Sequence, residues 1–158
     1  MSSERFRILL ADDNENFRDN TVDAKPLREC FDFDEAPTLQ RMWQLLKENS
    51  YDLLLLDLDM NNIGVEAGLK QIPQVTEKYP NLPIVVVTND GKVPTVVKAM
   101  QEGATHYLHK IGLDYDLWKH IFGRVIANNQ TAIRSMRLEK ENQALTEKVK
   151  RLEEKEHA

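Results

Sequence analysis

The chain has 158 residues and a mass of 18.3 kDa, with 41% hydrophobic and 30% charged side chains, enough for one ordinary domain and some length beyond it. A net charge of −5 and a pI near 5.4 argue against a protein that coats nucleic acid, and the apolar runs at 53–56 and 83–87 are too short to span a bilayer. A single cysteine, Cys30, rules out an internal disulfide framework, and the opening MSSERFRILLADD reaches an acidic pair too soon for a signal peptide, so a cytoplasmic protein is expected.

The first apolar run, Phe6–Ala11 (FRILLA), reads as a buried strand. Residues 16–29 have helical spacing, but Pro26 inside them predicts a break or a short first helix. A weaker strand at 31–34 precedes a helix at 38–48. The run DLLLL at 52–56 is the most apolar strand, and the helix Val65–Lys78 follows. PIVVV at 83–87 is the next strand, then a helix at 94–101 with Pro94 in its first turn, then the strand THYL at 105–108. Strands alternating with helices imply right-handed crossovers and a parallel sheet covered on both faces.

The last predicted helix of the globular part covers 114–126. Leu117, Ile121 and Val125 form one stripe that can face the sheet. Trp118, Phe122 and Ile126 form a second, which is either more core or a docking face for a second subunit. Charge divides the chain at this point. Residues 1–125 carry 14 basic and 20 acidic side chains, whereas residues 126–158 carry 7 and 6, and no glycine or proline follows Gly123. We therefore read a domain at 5–125 and a helical tail at 126–158. In the tail Leu138, Leu145 and Leu152 recur every seven residues, and as d positions they put Asn142 and Val149 at a. That pattern resembles a parallel two-stranded zipper with a buried Asn. Arg134 would meet Glu139 of a partner helix, and Lys148 would meet Glu153.

Ligands of parallel sheets bind at the carboxyl ends of the strands. Here the first strand ends in Asp12-Asp13, the third in Asp57, the fourth in Thr88 and the fifth in Lys110. Converging carboxylates repel one another unless positive charge sits among them. Lys110 supplies one charge, and magnesium, with its taste for a few carboxylates and open positions for water and phosphate oxygen, suits the rest. The chemistry this favours is formation of an acyl phosphate. Asp57 is the natural acceptor, Asp12 and Asp13 hold the cation, and the main-chain carbonyl of Asp59 is a further ligand. The Thr88 hydroxyl and Lys110 ammonium would bind phosphoryl oxygens. The four histidines share no metal-ligand spacing, and no Gly-rich phosphate loop is present.

The segments RILLADDN (7–14), YDLLLLDLDM (51–60), LPIVVVT (82–88) and GATHYLHK (103–110) resemble, in order and separation, the receiver domains of bacterial response regulators. The resemblance spans about residues 5 to 125. It implies an α/β fold with a doubly wound, five-stranded parallel sheet of the flavodoxin-like type. It also implies a histidine kinase or phosphotransfer protein as partner, no direct nucleic-acid binding by this segment, and Tyr107 as the aromatic that reports the state of Thr88. The site assignment for Asp12, Asp13, Asp57, Thr88 and Lys110 is the same. A homodimer is expected through Trp118, Phe122, Leu138, Asn142, Leu145, Val149 and Leu152. The sequence departs from the family pattern in Asn89 after the Thr, in Ile111 where a proline usually follows the Lys, and in Met60-Asn61-Asn62-Ile63-Gly64, one residue short. Two alternatives compete. Asp57-Leu58-Asp59 also resembles the nucleophile motif of haloacid-dehalogenase-type phosphohydrolases, in which the second Asp is general acid and base. A degenerate receiver would only mediate protein contacts.

Overall fold

The computed structural model describes residues 5–60 and 64–157. Five strands, β1 (Phe6–Ala11), β2 (Phe31–Ala36), β3 (Leu53–Leu56), β4 (Ile84–Thr88) and β5 (His106–His109), form one parallel sheet in the order β2-β1-β3-β4-β5. Helices α1 (Glu15–Asp23), α2 (Lys25–Arg28), α3 (Leu39–Glu48), α4 (Val65–Lys78), α5 (Val93–Glu102) and α6 (Tyr115–Glu156) connect or follow them. This is the parallel sheet covered on both faces that the alternating pattern implied, in the doubly wound, five-stranded form that the receiver resemblance implied. Because the order reverses beside β1, between β1 and β3, the carboxyl ends of those two strands flank a crevice.

The central strands read as unbroken apolar runs because both of their faces are covered. Every residue of β3 and β4 is buried. Alternate side chains divide between two cores. Leu9, Leu54, Leu56, Ile84 and Val86 pack with α3 and α4, while Ile8, Leu10, Leu53, Leu55, Val85 and Val87 pack with Leu27 and the start of α6. The edge strand β2 is weaker in sequence because only Phe31 and Ala36 are buried, and it runs two residues beyond the predicted end.

Pro26 acts as expected. Ala24 is extended, α1 stops at Asp23, and Pro26 sits in the first turn of the four-residue α2. Asn14 caps α1 by accepting from the Phe17 amide, and Thr38 caps α3 by accepting from the Arg41 amide.

The start of α6 corrects two expectations. Trp118 and Phe122 belong to the core, 3% and 0% exposed, with Val125 and Ile126. Trp118 meets Phe17 and Tyr115 edge-on, and Phe122 meets Phe31 in the same way, with centroids 5.6–6.1 Å apart. Neither ring is available as a docking face. Leu117, expected against the sheet, is 52% exposed instead. The two stripes overlap by helical phase, and the one carrying the larger rings is buried because it removes more apolar area from water.

The chain divides into two compact units, Met1–Ile126 and Ala127–Ala158. Within the second, residues through Glu156 are helical, and Met136, Leu138, Leu145, Val149 and Leu152 are all exposed. Arg151 and Glu147 form an i,i+4 ion pair at 3.8 Å. Among the described residues no helix is long and apolar enough to cross a membrane.

Candidate functional site

Hydrogen bonds from the ends of neighbouring strands fix the backbone of the site before any side chain is considered. The Asp57 amide donates to Ala11 O at 2.9 Å, the Asp12 amide to Ala36 O at 3.0 Å, and the Lys110 amide to Thr88 O at 3.0 Å. Each acidic or basic group thus stands one residue past a strand that is tied to its neighbour. The parallel register turns three distant stretches of sequence into one cluster.

Carboxylate oxygens of Asp12, Asp13 and Asp57 lie within 4.8 Å of one another. Asp12 is fully buried and Asp57 is 6% exposed. Lys110 answers part of that charge, with Nζ 2.5 Å from Asp12 Oδ2 and 3.6 Å from Asp57 Oδ2. The same ammonium lies 4.2 Å from the centre of the Phe17 ring, a cation–π contact that holds it over the cluster. Asp12 Oδ1 accepts from the Asn14 amide at 2.8 Å. Arg18 donates to the Asp12 carbonyl at 2.8 Å and pairs with Glu35 at 3.3 Å.

The surroundings of Asp57 disfavour its charged form. Burial, then the neighbouring Asp12 carboxylate, push its pKa up to about 6, against the pull of Lys110 and of the Asp59 amide, with Asp13 raising it further. That amide donates to Asp57 Oδ1 at 3.2 Å. Three acids and one ammonium leave a surplus of negative charge, which a divalent cation bound by oxygen would neutralise. The donor set fits magnesium.

Thr88 is 1% exposed, and its hydroxyl oxygen accepts from the Asp90 amide at 3.3 Å. Asp90 then organises the loop after β4, accepting from the Lys92 amide at 2.9 Å and from the Thr95 hydroxyl at 3.3 Å. The Tyr107 hydroxyl is buried without a hydrogen-bond partner, and burial, with Asp90 and Asp57 nearby, lifts its pKa to about 12. Asn89 is exposed. Among the described residues no peptide bond is cis, so the Lys110–Ile111 link is trans. The short loop expected after Met60 lies at 61–63, outside the described residues. Gly64 (φ +94°) donates its amide to Asp59 Oδ1 at 2.9 Å, and the Asp59 carboxylate is not one of the three clustered acids.

Two supporting residues escaped the sequence reading. A Cβ on Gly68 would stand 2.4 Å from the Cα and O of Leu58, so α4 can approach the turn after Asp57 only with glycine there. An isolated glycine inside a helical pattern was the available signal. Phe17 carried none, because a cation–π partner 93 residues away in sequence is visible only in the fold.

The sequence profile of the response regulator receiver domain matches residues 8–122. The chain belongs to that family. Among curated proteins, this receiver is 33% identical over 115 residues to the alginate biosynthesis transcriptional regulatory protein AlgB of Pseudomonas aeruginosa, covering 69% of this chain and 23% of AlgB. It is 26% identical over 103 residues to an NtrX-like response regulator of Rickettsia felis, covering 65% of this chain and 21% of that protein. The chain therefore spans only about a quarter or less of these relatives' length. Among solved structures, NtrX from Brucella abortus superposes with a TM-score of 0.75 at 21% identity, over 87% of this chain and 30% of that one.

Receiver domains are phospho-aspartate signalling modules, and the Asp12–Asp13–Asp57 cluster with Lys110 is what that chemistry needs. Nothing in the fold or the family favours the phosphohydrolase reading of Asp57 and Asp59.

Proposed function

We propose that Asp57 accepts a phosphoryl group from a phosphohistidine of a partner kinase or phosphotransfer protein, with magnesium held by Asp12, Asp13, Asp57 and the carbonyl of Asp59. One observation carries the reading: a buried carboxylate, raised in pKa by its burial and by Asp12, faces the only lysine drawn into the cluster among the described residues. In the transfer an Asp57 carboxylate oxygen forms a bond to phosphorus while the donor's bond to phosphorus breaks, its electron pair leaving with the donor. The bound cation supplies charge neutralisation and alignment of donor and acceptor. Lys110 is already within 3.6 Å of Asp57, so its ammonium needs little movement to follow charge onto the phosphoryl oxygens. Thr88 offers its hydroxyl proton to another oxygen, while its oxygen can go on accepting from the Asp90 amide. Tyr107, inward with a free hydroxyl, is the side chain free to respond.

With a small acyl phosphate and magnesium, intact-mass analysis should show one added phosphoryl group. Asp57→Asn should show none. Equal labelling of that variant, or labelling that survives chelation, contradicts the assignment.

The tail is read as a parallel homodimeric coiled coil. In support, Leu138, Leu145, Val149 and Leu152, the predicted seam, are all more than half exposed, an apolar row along one helix. Asn142 at an a position would fix the register. The domain at 5–125 would be the phosphoacceptor, the residues from 126 onward would transmit its state, and a cytoplasmic location suits a kinase partner. Sedimentation of the chain at tens of micromolar (about that concentration for a weak zipper) should show a dimer that weakens when residues 130–158 are removed. A monomer throughout ends the dimer reading.

A further inference from the structure

The segment that presents Lys110 has little packing to hold it. Ile111 is 75% exposed, and Gly112 is in the left-handed region (φ +74°) with nothing within 4 Å of where its side chain would be. Yet Lys110 must leave this turn in one direction to reach both Asp12 and Asp57. Two hydrogen bonds define the turn. One is Lys110 N to Thr88 O. The other is Ile111 N to Nδ1 of His109 at 3.0 Å.

His109 is the last residue of β5 and pairs in register with Thr88. Accepting at Nδ1 requires a lone pair there, so the neutral ring carries its proton on Nε2. The far edge of the ring lies against the loop after β4. A Cβ built on Gly91 would stand 2.8 Å from His109 Cδ2 and 2.9 Å from Nε2. One imidazole therefore touches both loops that close on the acceptor. One carries Lys110, and the other carries Asp90, whose amide donates to Thr88.

The geometry points to His109 as a positioning residue of the phosphoacceptor site, an imidazole splint between the Gly91 loop and the turn that delivers Lys110. This rests on the reading of Asp57 as acceptor. The ring touches no reacting atom; it acts through the direction in which Lys110 leaves the strand. It also gives Gly91 a reason to be glycine that its backbone angles do not, since the space a methyl would need is occupied by the ring.

The test is the rate of labelling by acetyl phosphate at saturating magnesium, with urea midpoints measured alongside so that only folded variants are compared. Losing one hydrogen bond that fixes Lys110 should slow His109→Ala about fivefold. His109→Asn should recover to within about twofold, because an Asn side-chain carbonyl can accept the amide two residues on. Gly91→Ala, which pushes a methyl into the ring, should also be slow. The double variant Gly91→Ala/His109→Ala should be no slower than His109→Ala alone. Ring 15N shifts in the intact chain should put the His109 proton on Nε2. Wild-type rates in His109→Ala, an Asn variant as slow as the Ala one, additive effects in the double variant, or a proton on Nδ1 would each overturn the assignment. A wild-type chain that takes no label at all fells the acceptor reading itself, and this inference with it.

Discussion

The carboxyl edge of the sheet and the helix of the second unit handle side chains in opposite ways. At the edge, polar and charged groups are buried: Asp12, Asp57 and Thr88 are each at most 6% exposed, and backbone bonds between strand ends hold them. In the 127–156 helix, apolar groups are exposed, with Leu138, Leu145, Val149 and Leu152 at 53–60%. Each is unfavourable in isolation. A buried like-charged cluster seeks a cation, and an exposed apolar row seeks another surface. The acid cluster and the apolar row therefore call for different partners, one ionic and one apolar.

The sharpest way to break that contrast is to exchange core for seam. Phe122→Ala should cost about 3–5 kcal/mol of stability, because it empties a site between Phe31 and Trp118. It should leave association untouched in whatever chain still folds. Leu145→Ala should do the reverse, weakening association while shifting the unfolding of the first unit by no more than about 0.5 kcal/mol. Urea unfolding and sedimentation of both variants would check this. Association lost in Phe122→Ala at full stability would place the aromatic stripe on an interface after all.

Smaller in stability but more telling for the site is Gly68→Ala. The new methyl collides with backbone at Leu58, which cannot yield without moving Asp57. A loss of about 1–3 kcal/mol is expected from overpacking, with phosphoryl uptake falling more than stability explains. Denaturant midpoints and labelling rates on the same samples separate the two effects. Normal uptake would mean that α4 can shift away without disturbing the acceptor.

The Asp57 carboxyl offers a pH test. Its pKa is raised in the folded chain from 3.8 to about 6, so the folded state holds this proton more tightly than the unfolded state does. The stabilisation is full below pH 3.8 and is lost as pH rises through about 6. Without metal, Asp57→Asn should therefore be more stable than wild type at pH 7.5, by about 1–3 kcal/mol. That advantage should shrink towards pH 4 and also on adding magnesium. Thermal melts of the pair across pH would show it. A constant difference between the two proteins would mean that Asp57 is not strained by its neighbours.

The sequence made some of this legible and hid the rest for physical reasons. Buried central strands advertise themselves as continuous runs, so β1, β3 and β4 and the acids at the ends of β1 and β3 could be read directly. The edge strand β2, with two buried residues in six, could not be bounded as well. For α6, periodicity gave two adjacent stripes but not their orientation, and the choice depended on Phe17 and Phe31, which lie on other elements. Gly68 and Phe17 serve the site through contacts that only the tertiary structure creates, and the meeting of His109 with Gly91 is another such contact. Motif logic finds groups that do chemistry; it does not find the groups that hold them in place.

The central claim is that Asp57, among several acids at one edge, takes the phosphoryl group. Borohydride reduction of the acetyl-phosphate-treated chain turns a phosphorylated aspartate into homoserine, which peptide mass mapping can locate. Homoserine at position 57, dependent on magnesium, is the predicted result. Homoserine at Asp12, Asp13 or Asp59 in its place, or none in a chain that has gained phosphoryl mass, would contradict the account.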